Sequence, residues 1–265
     1  MKKYTGLALA LVALCCVVHA DFASAGTGTY IDNGGGSMTD NYMFPGQTSS
    51  NTNCLGQDTC PNASSPPNIT TVVVEWAWDA SKNTNVLTKI TLTTTNDFLF
   101  WDSLFINSDY TGVASNLQEW DYFVHNGGEN DHYVQSGQDA PGNGLYQVAG
   151  NFTTNMYTTA SEAADGRTGH ANGIDASYLN ALEGTSFVSR NGYQVVYDFS
   201  SLTTKIALGD NFAIGYTPYC ANDVVLVAGS TGGAPGVPEP ATMVLFGAGM
   251  AGLAGWRARR NKQKK

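Results

Sequence analysis

The chain has 265 residues, 13 Lys and Arg against 22 Asp and Glu, a formal net charge of −9, and is 42% hydrophobic. Eight of the bases fall in the two ends, so the body between about Gly26 and Gly236 keeps five (Lys82, Lys89, Arg167, Arg190 and Lys205) against twenty acids, a balance of −15. A surface of that sign repels nucleic acid and anionic polysaccharide, which excludes a nucleic-acid partner and leaves neutral glycans, divalent cations or plain solubility.

At the amino terminus, "MKKYTGLALALVALCCVVHADFASAG" offers Lys2 and Lys3, an apolar run from Leu7 to Val18, and Ala23-Ser24-Ala25. A charged start, an apolar run and an A-x-A site define a secretory signal peptide over residues 1–25, cut between Ala25 and Gly26. Cys15 follows Leu14, which is too large for a lipoprotein cleavage site. Residues 26–71 are rich in Gly, Asn, Ser and Pro and predict a loop or edge segment. Cys54 and Cys60 enclose five residues there. Export favours their pairing, and so short a loop closes readily, so a Cys54–Cys60 disulfide is expected. Cys220 is left over, either buried or joined across the sheets.

Residues 72–228 predict an all-β fold, a single β-sandwich or jelly-roll-like domain. "TVVVEWAWDA" alternates, with Val72, Val74, Trp76 and Trp78 on one face and Val73, Glu75, Ala77 and Asp79 on the other. "NGYQVVYDFS" does the same, with Tyr193, Val195, Tyr197 and Phe199 inward. "LTKITLTTT", "EWDYFVHN", "GLYQVAGNF" and "DNFAIGY" are further strands bounded by turn residues. One short helix is expected at "DASYLNALEG", with Asp175 as N-cap and Gly184 just past its end. A linker over 229–236 closes the body.

Chemistry is sparse in the body. There is no G-x-S-x-G, H-E-x-x-H, phosphate loop or EF-hand pattern, so no enzyme, no bound metal and no cofactor is expected. Two alternatives concern cations. Calcium would sit at the acidic turns around Asp131, Asp139, Asp165 and Asp175. A hairpin at Asn126-Gly127-Gly128 would bring His125 and His132 together beside Glu129 and Asp131; solvated turn side chains are the plainer reading. Glu119 and Asp121 share a strand face in the manner of a glycosidase pair, but acids are common on this surface. Trp76 and Trp78 are expected in the core. Trp101 and Trp120, next to acids, are the candidates for stacking on glycan rings, with burial as their alternative.

The tail, "VPEPATMVLFGAGMAGLAGWRARRNKQKK", carries the sharpest signal. Pro238 and Pro240 mark a helix start, and residues 241–256 are uncharged. Such a helix runs about 24 Å against a hydrocarbon core of about 30 Å, and Trp256 with Arg257, Arg259 and Arg260 anchors it at the interface. Gly247, Gly249 and Gly252 spell G-x-G-x-x-G, but without the βαβ context of a dinucleotide site. Val237-Pro238-Glu239-Pro240, the apolar helix and the basic end together resemble the PEP-CTERM sorting signal of Gram-negative bacteria over residues 237–265. "YTPYCANDVVLVAG" is similar to the Cys-(Gly/Ala)-Asn-Asp-Val segment that commonly precedes that signal, with Ala221 at the Gly/Ala position.

The resemblance implies a partner, an exosortase-like processing enzyme. It also implies a precursor held in the inner membrane by the tail helix and release to the cell surface or the extracellular matrix. Such proteins accompany exopolysaccharide and biofilm systems. On this reading the protein is an exported, non-catalytic structural or adhesive component of an exopolysaccharide matrix. A carbohydrate-binding module is the alternative, and a secreted glycan hydrolase the third reading.

Overall fold

The computed structural model describes residues 25–31, 38–39, 69–94, 102–111, 119–127, 139–150, 156–158, 171–218, 225–232 and 250. The chain divides into two compact units, Met1–Gly233 and Ala234–Lys265. In the first lie β1 (Ala25–Ile31), β2 (Met38–Thr39), β3 (Ile69–Asp79), β4 (Thr84–Thr94), β5 (Asp102–Asn107), β6 (Tyr122–His125), β7 (Gly144–Val148) and β8 (Met156–Thr158). Next come β9 (Ala171–Ile174), β10 (Leu179–Glu183), β11 (Val188–Asn191), β12 (Gln194–Asp198), β13 (Ala207–Leu208), β14 (Asn211–Pro218) and β15 (Val225–Ser230). They make a first sheet in the order β1-β3-β4-β12-β11 with β13 beside β4, a second in the order β10-β7-β6-β5-β14-β15-β2, and a small β8-β9 pair. The described strand pairs are antiparallel. Strands therefore run beyond the predicted 72–228 domain, taking in β1, β2 and the start of β3 before it and the end of β15 after it.

The first sheet follows its alternation. Val72, Val74 and Trp76 of β3 meet Ile90 and Leu92 of β4 and Val195 and Tyr197 of β12 in one core. Between the pairs Glu75–Lys89 and Trp76–Leu87 the register shifts. Thr88 is the extra residue, which is why Leu87 and Ile90, three apart, both face inward at 1% and 0% exposure. Asn83 turns the β3–β4 hairpin in the left-handed region at φ 53°, a conformation that Asn tolerates. At the β11–β12 hairpin Gly192 does so at φ 56°. Tyr193, predicted inward, is part of that turn rather than of the strand and is 54% exposed.

The second sheet breaks the alternation because it is covered on both faces. Leu104, Ile106, Val124, Leu145, Phe212, Ile214, Tyr216, Val225 and Val227 face the first sheet and complete the inter-sheet core. Phe105, Phe123, Ala213 and Leu226 point the other way, into a second cluster with Trp120 and Ile174. Strand β9 carries Ile174 and lies against β6 and β14. Each aliphatic side chain buried in this way contributes about 1.5–3 kcal/mol, so the two-sided sheet is the main store of apolar stabilisation.

The helix expected from Asp175 to Gly184 is not formed. Asp175 does cap: its Oδ1 accepts from Ser177 N at 2.9 Å and Ser177 Oγ at 2.6 Å. The helix it starts, however, is a single 3-10 turn, Ala176–Tyr178, and the chain leaves it extended at Leu179 (φ −114°, ψ 130°). Leu179–Glu183 then pairs with β7, Leu179 against Val148 and Ala181 against Tyr146. Pairing on an available sheet edge outweighs a local helix preference of a few tenths of a kcal/mol per residue. A second such turn, Phe199–Ser201, is capped by Asp198.

Of the unit Ala234–Lys265 only Met250 is described, helical and 58% exposed. No helix among the described residues is long and apolar enough to cross a membrane. The rest of the predicted helix 241–256 and all of the signal peptide but Ala25 lie outside the described residues.

Candidate functional site

The first sheet turns one face outward. Thr29, Val73, Thr91, Val196 and Ser189 stand side by side across five strands. Next to them runs a second row, Ile31, Thr71, Thr93, Gln194 and Asn191. On the other side lies a third, Thr27, Glu75, Lys89 and Asp198. With strands about 4.8 Å apart and same-face residues about 6.7 Å apart, the array spans roughly 19 Å by 13 Å. The side chains on β3 and β4 and Val196 of β12 are half-buried, and the others are exposed.

The face holds its own charges. Lys89 Nζ lies 2.8 Å from Glu75 Oε1, an exposed pair of the kind that contributes at most about 1 kcal/mol. Asp198 Oδ1 accepts from the hydroxyl and backbone N–H of Ser200. Those bonds, with Lys89 and Lys205 nearby, hold its carboxyl below the usual carboxylate range. Gln194 Nε2 donates to Thr93 Oγ1 at 3.3 Å. What remains is a regular array of hydroxyls, carboxamides and methyls. Its trace in the sequence is the T-x-T pattern of Thr27-Gly28-Thr29 and Thr91-Leu92-Thr93, which has no meaning within either strand alone.

The Asp198 cap recurs. In Asp79-Ala80-Ser81, Asp175-Ala176-Ser177 and Asp198-Phe199-Ser200 the carboxylate accepts from the hydroxyl and the N–H of the serine two residues on. In each the serine hydroxyl is the first cause of a lowered carboxyl pKa. These acids tie turns together.

Trp120 requires a correction. It is 2% exposed, its ring 5.6 Å from Phe105, which lies 5.1 Å from Phe123. It belongs to the outer cluster of the second sheet and is not available to stack on a sugar. Glu119 and Asp121 beside it suggest solvent, but the sheet they flank is covered on that side too. The signal that would have found this is the unbroken apolar runs "LFI" in β5 and "FAI" in β14, the mark of a sheet buried on both faces.

The other expectations divide. His125 is buried, with Nδ1 3.3 Å from Gly142 O and its ring stacked on Phe123. Glu119 and Asp121 do not share a strand face, for β6 starts at Tyr122; Asp121 Oδ2 accepts from Ser108 N at 2.7 Å and Ser108 Oγ at 2.6 Å. Asp139 N donates to Asp175 Oδ2 at 3.0 Å. Among the described residues no group of three or more His, Cys, Asp or Glu is placed to hold a metal ion. Ala25 and Gly26 begin β1, paired with Ala77 and Trp76. Trp101, His132, Glu129, Asp131, Asp165, Cys54, Cys60, Cys220, Ala23, Val237 to Pro240 and Arg257, Arg259 and Arg260 lie outside the described residues.

A family model for the PEP-CTERM protein-sorting motif matches residues 236–260. No curated protein and no solved structure matches the chain. The motif implies recognition by exosortase, a membrane processing enzyme, and export and surface sorting in Gram-negative bacteria. Residues 236–260 are therefore a PEP-CTERM protein-sorting motif, and the chain that carries it is a protein sorted by exosortase to the cell surface.

Proposed function

We propose that the protein is a non-catalytic structural or adhesive component of an exopolysaccharide matrix, retained there by the outer face of its first sheet. The observation that carries the reading is the in-register array of Thr, Ser, Asn and Gln around an internally paired Lys89 and Glu75. A body with a balance of −15 is repelled by anionic polymers, so a neutral polysaccharide is its partner. The test is co-sedimentation of the secreted protein with purified neutral matrix polysaccharide. Thr29→Arg with Thr91→Arg raises two long charged side chains from the face without entering the core. Retention should fall at least tenfold while the melting temperature stays within a few degrees. Unchanged retention sinks the assignment of the face.

The same face supports a second reading, a carbohydrate-binding module that recognises one defined glycan. A glycan array separates the two, because a module gives a saturable signal on a single oligosaccharide and a matrix protein needs the polymer. Time-dependent release of reducing ends would move the protein to the third class, secreted glycan hydrolases.

A further inference from the structure

We propose that two copies of this protein pair through the outer edge of β1, antiparallel about a two-fold axis at Gly28, so that their first sheets run on into one another. β1 is an end strand of the first sheet. One of its edges is laid along β3, and among the described residues no hydrogen bond reaches the other. A row of open N–H and C=O groups is a template for a further strand.

Four strands end the two large sheets, and three of them are guarded. β10 carries Glu183 and a register shift between Ala181 and Glu183, β11 carries Arg190, and β2 is two residues long. Charge, irregularity and shortness are the usual devices that keep end strands from joining. β1 has none of them: "AGTGTYI" is seven residues without charge or proline, in a ladder without a bulge.

The occupant is a second copy because β1 is complementary to itself. A ladder centred on Gly28 sets Gly28 opposite Gly28, Gly26 opposite Tyr30 and Thr27 opposite Thr29, pairs that the expected cut after Ala25 leaves intact. Gly26, Gly28 and Tyr30 share the inward side. There the Trp76 indole backs Gly26 and the Tyr30 ring lies over Gly28, so the one bulky inward side chain meets a glycine across the seam. Outward, Thr meets Thr, a favourable cross-strand pair. Two bodies of −15 repel each other, but Glu75, which faces Thr27 across β3, is held by Lys89 at 2.8 Å, and the seam itself is uncharged. So short a ladder lies at the weak end of protein association, and sorting to the surface supplies the concentration it needs. The pairing does not depend on what the outer face binds.

The test is light scattering of the exported protein over a rising concentration series, in which the mass should pass from that of one chain to that of two. Thr27→Lys with Thr29→Lys sets like charges opposite each other twice across the seam and should raise the midpoint about tenfold, with the melting temperature within a few degrees of the wild type. Thr27→Lys with Thr29→Glu sets Lys opposite Glu and should bring the midpoint back. A cross-link gives the register independently of these variants. When differently tagged copies carrying Thr27→Cys and Thr29→Cys are mixed and oxidised, a species bearing both tags should form, with a peptide map joining positions 27 and 29. Two Thr27→Cys copies, whose cysteines lie diagonally, should give none. The proposal is overturned if the unmodified protein keeps the mass of one chain at every concentration, if the double-lysine variant dimerises at the wild-type midpoint, or if no 27–29 bond joins the two tags.

Discussion

Replacing Trp120 by Ala separates a core ring from a binding ring. The side chain is 2% exposed and packs on Phe105 within a cluster completed by Phe123, Ile174, Ala213 and Leu226. Truncating a buried Trp costs about 3–5 kcal/mol, of which an aromatic pair accounts for about 0.5–1.5 kcal/mol. Among the described residues the outer cluster is the smaller of the two, which places the loss near the lower end, about 3 kcal/mol. For a body of this size that is a fall in melting temperature of about 6–12 °C. Calorimetry of the secreted protein reads it directly, and Trp120→Phe should recover about half, since the contact with Phe105 survives. Retention on polysaccharide should be unchanged at temperatures where the variant is folded. A variant that melts with the wild type but no longer binds would overturn this assignment, because only an exposed ring behaves that way.

Three further outcomes are expected. Glu239→Ala alters the sorting motif but keeps the apolar run and bases, so uncleaved precursor should accumulate in the inner membrane by fractionation and intact mass; an unchanged mature mass would count against exosortase processing at this segment. Peptide mapping of the unreduced exported protein should join Cys54 to Cys60, with Cys220 open to alkylation; a bond from Cys220 to either would instead tie the amino-terminal segment to the chain between β14 and β15. The carboxyls of Asp79, Asp175 and Asp198 are held below the usual carboxylate range in the fold, chiefly through Ser81, Ser177 and Ser200. A depressed folded pKa stabilises above the unfolded value and the benefit is lost as pH falls through the folded one. Stability should therefore decline below about pH 4, and the triple variant Ser81→Ala, Ser177→Ala, Ser200→Ala should decline less steeply there; parallel curves would remove these turns from the acid response.

The strands were legible where one face is dry and the other wet. Val72, Val74, Val195 and Tyr197 alternate with outward neighbours because the first sheet is covered on one side only. Period-two reasoning lost the second sheet's outer cluster, since Phe105 and Ile106 are both buried and the pattern disappears. Asp175 shows the limit of local signals: the cap is real, but the path of the chain beyond it is set by the edge of β7, which the sequence near Asp175 does not contain. Trp120 was left open between stacking and burial for the same reason, its partner Phe105 being brought up by a separate strand, β5. The T-x-T array was written in the sequence but has meaning only in register across five strands. The sorting motif is different in kind. It is read by an enzyme as linear sequence, so it was fully visible without a fold.

Strand β1 opens on Ala25 and Gly26, the two residues between which the leader is predicted to be cut. A peptidase takes its substrate as an unpaired stretch of chain, whereas in the uncut chain both residues are laid along β3. They cannot serve both at once. With the cut expected there, the precursor would travel one strand short, and the first sheet would be finished only beyond the membrane. On that reading the leader would set a time as well as an address, since β1 could pair with β3 only once the leader is gone.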